Sequence, residues 1–151
     1  MKRLLIALIL SLYTIVSYGS VDPEFIAAEK AAIKRASNEW ATALAGKDPQ
    51  KVIDLYDDET YLYATFKNKI DDHEGLTNYF SNLMKKKELK VKFDDENVRV
   101  YGGTAINSGL YTFIYKDNDK TVKTPARFTF VYTLTPDGWM IIDHHSSQLP
   151  E

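Results

Sequence analysis

The sequence contains no cysteine. That absence excludes a disulfide framework, a thiolate metal site and a lipid-modified cysteine behind an export signal. A domain made of this chain is therefore held by its core alone. Several motifs are missing as well. Gly102-Gly103 is followed by no helix, so there is no phosphate-binding glycine loop. No Gly-x-Ser-x-Gly elbow marks a hydrolase triad. No Rossmann fingerprint and no kinase motif occur, so no nicotinamide, nucleotide or other cofactor is expected. No excess of positive charge exists either. Without Lys2 and Arg3, 17 basic face 21 acidic side chains. That balance argues against a nucleic-acid surface, which needs a basic stripe. Lys85-Lys86-Lys87 is the one basic run, and lysines at a helix C-terminus complement the helix dipole.

Only one long apolar run is present, at the start. Lys2 and Arg3 precede Leu4 to Val16, and Ser17-Tyr18-Gly19 places small residues where a signal peptidase reads. The run is shorter than the roughly 20 residues a membrane span needs. Residues 1–19 are thus expected to be a cleaved signal peptide, with an uncleaved anchor as the alternative. Residues 20–151 would form a single exported domain, periplasmic or secreted, with no membrane span after cleavage. That length suits one core.

Asp22-Pro23 reads as a helix start, and Ile26, Ile33, Ala36, Trp40 and Leu44 recur at helical spacing up to Gly46. Asp48-Pro49 opens a short second helix expected to carry Val52, Ile53 and Tyr56. Thr60 to Phe66 alternates like a strand. Gly75 precedes a third helix with an apolar stripe from Leu76 to Met84, which leaves His73 in a loop. Beyond Lys87 the period changes to two. Short strands are expected at Leu89–Phe93 and Val98–Tyr101, and long ones at 105–115, 120–134 and 139–147. The strand 120–134 is expected to be irregular at Pro125. Three helices followed by a four- or five-stranded antiparallel meander is an α+β arrangement. The long strands are apolar on both faces, so a second copy is expected to cover the outer one, in a homodimer or higher oligomer. A water-facing sheet rich in threonine and tyrosine is the alternative.

The end of the chain carries a resemblance. Asp137-Gly138 forms an acidic turn. Then come Trp139, the aliphatics Met140 to Ile142, the pair His144-His145, and Ser147 and Pro150. This segment resembles the association domain of calcium/calmodulin-dependent protein kinase II and SnoaL-like bacterial proteins, within the nuclear transport factor 2-like superfamily. Asp143 departs from the pattern, which usually has histidine there. The resemblance implies a cone: a curved sheet wrapped on a long N-terminal helix, with a pocket at the wide end. In ketosteroid isomerase and scytalone dehydratase that pocket holds acid–base catalysts; in the kinase domain the fold assembles rings. Fold alone does not choose between them.

By strict alternation His145 shares a face with Trp139, Ile141 and Asp143, while His144 falls on the other. Asp143 and His145 are then the candidate acid–base pair, or a structural pair at a subunit contact. Only one histidine of the pair can face the cone, so no metal site is expected. Arg127 would receive a small anionic ligand, or pair with Glu39 or Asp143. Tyr111, Tyr63 and Trp40 are candidate pocket walls, with core packing as the alternative. The leading expectation is a ligand-binding or assembly domain without clear catalysis. Its rivals are a small isomerase- or dehydratase-like enzyme and a partner-binding module using the outer sheet face, with Phe130 expected on that face.

Overall fold

The computed structural model describes residues 22–150. The expected signal segment, 1–19, lies outside the described residues.

Helix α1 spans Pro23–Ala45, and the Asp22 carboxylate accepts the Glu24 N–H at 2.9 Å. Capping by aspartate with proline in the first turn is the arrangement its sequence calls for. Ile33, Ser37, Trp40 and Leu44 form its buried stripe. Gly46 donates to the Thr42 carbonyl at 2.9 Å but keeps a right-handed φ of −70°. The left-handed residue that follows the helix is Lys47, at φ 60°.

Helix α2 is short, Pro49–Ile53. Tyr56 does not belong to it, as the sequence had suggested, but opens strand β1, Tyr56–Tyr63. Helix α3, His73–Leu83, is capped by Asp72, whose carboxylate accepts the Gly75 N–H at 2.6 Å. His73 and Gly75 therefore sit in its first turn rather than ahead of it.

The two short strands expected around residue 95 are one strand, β2, Lys87–Tyr101. A register shift between Phe93 and Asp95 bends it. Strands β3 (Thr104–Asp117), β4 (Lys120–Thr135) and β5 (Gly138–Gln148) complete the sheet. Its order is β1-β5-β4-β3-β2. β2 to β5 form the antiparallel meander, and β1 joins β5 as a parallel edge. Pro125 causes no irregularity on the β3 side, where it faces Thr112 in unbroken register. Pairing of β4 with β5 begins only at Ala126. The missing N–H therefore falls where no continuous ladder requires it.

Phe128, Phe130 and Tyr132 point inward from β4 and are almost fully buried. Arg127, Thr129, Val131 and Thr133 face outward. The expectation that put Phe130 on the outer face and Arg127 in the cone is inverted. Burying three aromatic rings removes far more apolar surface from water than burying threonine and valine would. Trp40 is the centre of this core. It stacks on Tyr111 with centroids 6.2 Å apart and meets Phe130 edge-on at 5.3 Å. Each such pair adds about 1 kcal/mol beyond area burial.

Candidate functional site

What faces the inside of the cone is decided by a bulge in β5. Val131 pairs with Asp143, but the next residue of β4, Tyr132, pairs with Ile141. Ile142 is the extra residue. One inserted residue reverses every side chain beyond it. Ile141 points in, and so do His144 and Ser146; Asp143 and His145 point out. Strict alternation through Ile142 gave the opposite assignment.

His144 is 2% exposed and sits in an aromatic cage, 4.3 Å from the Phe130 ring centroid and 5.4 Å from that of Trp40. Its Nδ1 lies 2.8 Å from the Tyr56 hydroxyl, to which Trp40 Nε1 donates at 3.1 Å. The indole N–H can only donate. Tyr56 oxygen accepts from it and shares one hydrogen with His144 Nδ1, with the direction set by the ring's tautomer. His144 Nε2 has no hydrogen-bond partner among the described residues. Burial holds the His144 pKa down to about 3, and the nearby His145 acts in the same direction. Burial raises the Tyr56 pKa, while the bond from Trp40 opposes it.

A buried hydroxyl pair reaches a surface cleft through Ser146. Tyr111, buried, donates to Ser146 Oγ at 2.6 Å. Burial raises the Tyr111 pKa, against the bond to Ser146, so the phenol stays protonated and remains a donor. With its oxygen accepting from Tyr111, Ser146 keeps its own hydrogen to give elsewhere. Thr65 ties down the strand here: its hydroxyl donates to the Ser146 carbonyl at 3.1 Å and accepts the Gln148 N–H at 2.9 Å.

Ser146 and Thr65 belong to the lining of a cleft of about 260 Å³ between α3 and the concave ends of β3, β4 and β5. Tyr79 and Leu83 come from the helix; Phe113 and Tyr115 form the wall from β3. Lys86 closes the rim, its ammonium 3.7 Å from the Tyr115 ring centroid. Among the described residues the lining contains hydroxyls, aromatic faces, the Gln148 amide and one ammonium, with no carboxylate or imidazole. It can accept a flat apolar body and donate to a carbonyl or carboxylate oxygen.

The residues singled out by sequence are scattered. Trp40 and Tyr111 are fully buried, and only the Tyr111 hydroxyl reaches the cleft, through Ser146. Tyr63, 44% exposed, lies on the outer face beside His145. Asp143 and His145 share that face, where burial raises the Asp143 pKa and His145 opposes the rise. Arg127 is also on the outer face, against Leu110 and Ser147. Among the described residues it makes no ion pair with Glu39 or Asp143. The surface hollow it borders contains Phe66 and Pro150 but neither Asp143 nor His145. So the cup expected to be lined by Arg127 and His145 is lined by other side chains. Ser146, Thr65, Tyr79 and Lys86 were missed. The alternation of β5 carries no mark of the bulge, which alone brings Ser146 inside.

The sequence profile of the calcium/calmodulin dependent protein kinase II association domain matches residues 29–150. A Xanthomonas campestris protein described as such an association domain is 37% identical, over 83% of this chain and 89% of that one, with a TM-score of 0.73. An NTF2-like superfamily protein from Salmonella enterica serovar Typhimurium is 22% identical, over 83% and 94%, with a TM-score of 0.72. A ketosteroid isomerase-like protein from Erwinia carotovora atroseptica is 16% identical, over 82% and 98%, with a TM-score of 0.67. The last two show the fold alone. No curated protein sequence matches the chain. Helix, curved sheet and sequence profile agree: the chain belongs to the calcium/calmodulin dependent protein kinase II association domain family, within the nuclear transport factor 2-like fold.

Proposed function

We propose that the chain is an exported domain that binds a small molecule in the cleft at the cone mouth and self-associates through its outer sheet face, without catalysing a reaction. The observation that carries the binding role is the Tyr111–Ser146 hydroxyl pair at the cleft floor, held among the aromatic faces of Tyr79, Phe113 and Tyr115. A buried phenol that donates to a serine polarises that serine's own hydrogen and strengthens it as a donor. The volume, about 260 Å³, suits a ligand with one ring. The lining offers no acid–base pair of the kind proton transfer uses. The acid–base alternative built on Asp143 and His145 would have to operate from the outer face, away from this cleft.

Export rests on residues 1–19, whose charged, apolar and small segments have the order of a signal peptide. Self-association is supported by the outer face, where Val131 is half-buried and Tyr61, Tyr63 and Leu110 are 44%, 44% and 38% exposed. A panel of single-ring aromatic acids and amides, read by thermal shift, tests the binding role. At least one should raise the melting temperature, and Ser146→Ala should remove that rise. No rise from any member, or a rise indifferent to Ser146→Ala, would refute it.

A further inference from the structure

Charge is distributed unevenly over the described residues, and the unevenness follows the strand order. The β1 edge and the start of α3 carry Asp57, Asp58, Glu59, Asp71, Asp72 and Glu74. At the opposite end, where α3 stops and the β3–β4 hairpin turns, Lys85, Lys86, Lys87, Lys116 and Lys120 outnumber Glu88, Asp117 and Asp119. Lys90 and Lys123 flank Ile114 on the adjoining outer face. The full chain is net −2, so this lysine end does not reflect overall composition. The dipole of α3 accounts for lysines just past its C-terminus. It accounts for none of those on β3 and β4.

Two further observations point to a ligand. First, Lys87 on β2 and Lys116 on β3 are direct cross-strand partners. Like charges placed so cost stability, and a bound anion relieves them. Asp119 reaches Lys87 at 2.9 Å, but no ion pair with Lys116, Lys90, Lys120 or Lys123 occurs among the described residues. Second, the lysines line a groove. Lys85, Lys86, Lys87 and Lys116 border an open channel of about 640 Å³ with Asn82, Asn118 and the carboxylates Asp117 and Asp119; Asp119 is taken up by Lys87, and the lysines outnumber the carboxylates. A concave basic surface concentrates field lines on what lies in it.

We infer that this groove binds a flexible polyanion without bases: a chain of closely spaced phosphate or sulfate groups, such as polyphosphate or an acidic polysaccharide. Nucleic-acid single strands are held by stacking on free aromatic faces. Among the described residues Tyr115 is the one aromatic lining the groove, and its ring is covered by Lys86 at 3.7 Å. Membrane docking combines charge with an inserting apolar side chain. None of the large exposed apolar residues Phe25, Phe66, Tyr101 and Leu134 lines the groove; Phe66 borders the neighbouring cleft, which shares Lys86 and Tyr115 with it. Lysine ammonium groups on long stems suit irregularly spaced point anions.

Fluorescence anisotropy of labelled inorganic polyphosphate and labelled dextran sulfate on the purified protein tests the inference, and the two polymers separate phosphate from sulfate recognition. Binding of either at low salt is expected, with log K falling against log salt at a slope of roughly −3 for four contacts on a flexible chain. Lys87→Glu with Lys116→Glu should weaken it about tenfold or more, whereas Lys30→Glu with Lys34→Glu on α1 should weaken it less than about twofold. The second pair makes the same charge change at exposed sites far along the chain from the groove. Should the first pair fail to fold, Lys87→Gln with Lys116→Gln removes the same two cations and must weaken binding in the same order. Equal weakening by the groove and α1 pairs would overturn the inference. So would binding to phosphatidylglycerol vesicles with none to either polymer.

Discussion

In water a histidine takes up a proton near pH 6.5, and the unfolded chain does so with His144. The folded chain resists, because the ring is caged by Trp40 and Phe130 and its pKa is held down to about 3. Between those two values the unfolded state binds the extra proton, so stability falls as pH falls through the window. From about pH 7 to about pH 5 this residue alone should remove about 2 kcal/mol, read from urea unfolding at each pH. His144→Gln keeps a partner for the Tyr56 hydroxyl and cannot titrate; its unfolding free energy should change less over the same interval, by about that amount. Equal pH slopes for the two proteins would show that His144 does not sit neutral in the core. At the same scale, Tyr111→Phe removes the donor to Ser146 and leaves the ring stacked on Trp40. It should cost about 1 kcal/mol in chemical denaturation and weaken any ligand that Ser146 binds. Stability lost without a change in binding would make the hydroxyl pair purely structural.

At the scale of elements, the bends of the sheet decide what faces where. Gly109 lies opposite Glu96, next to the bend of β2. A Cβ built there would collide with the Asp95 carbonyl. Because that neighbour is backbone, Gly109→Ala should destabilise by about 2 kcal/mol or more, measured by thermal unfolding. Little change would mean that the strand shifts freely. Helix starts were legible because aspartate before proline has one local physical meaning, and both Asp22 and Asp48 act as caps. The long strands were legible from period-two alternation. The bulge at Ile142 was not: it inserts one aliphatic residue among others, and either phase buries something apolar. That single residue turned Asp143 and His145 outward, His144 into the core and Ser146 onto the cleft. Tyr56 was misread for a related reason, since three residues after a short helix are too few for a period to show.

For the molecule as a whole, the class of fold was legible from element order and from the segment 137–150, because one long helix needs a sheet to cover it. The inner and outer faces of β4 were not legible, since both alternate sets contain apolar residues. Once Phe128, Phe130 and Tyr132 are inside, the outer face retains Val131 between threonines. Self-association through that face predicts a dimer or larger species for residues 20–151 in sedimentation at micromolar concentration, and a monomer for Val131→Glu. A monomeric parent protein would remove assembly from the account. The claim on which the functional reading turns is that ligands meet the concave side of the sheet. Amide chemical shifts recorded while single-ring acids and amides are added test it most directly. The account predicts movement at Thr65, Tyr79, Phe113 and Ser146, with Arg127, Asp143 and His145 unmoved. Movement at the latter three with silence at Ser146 would contradict it.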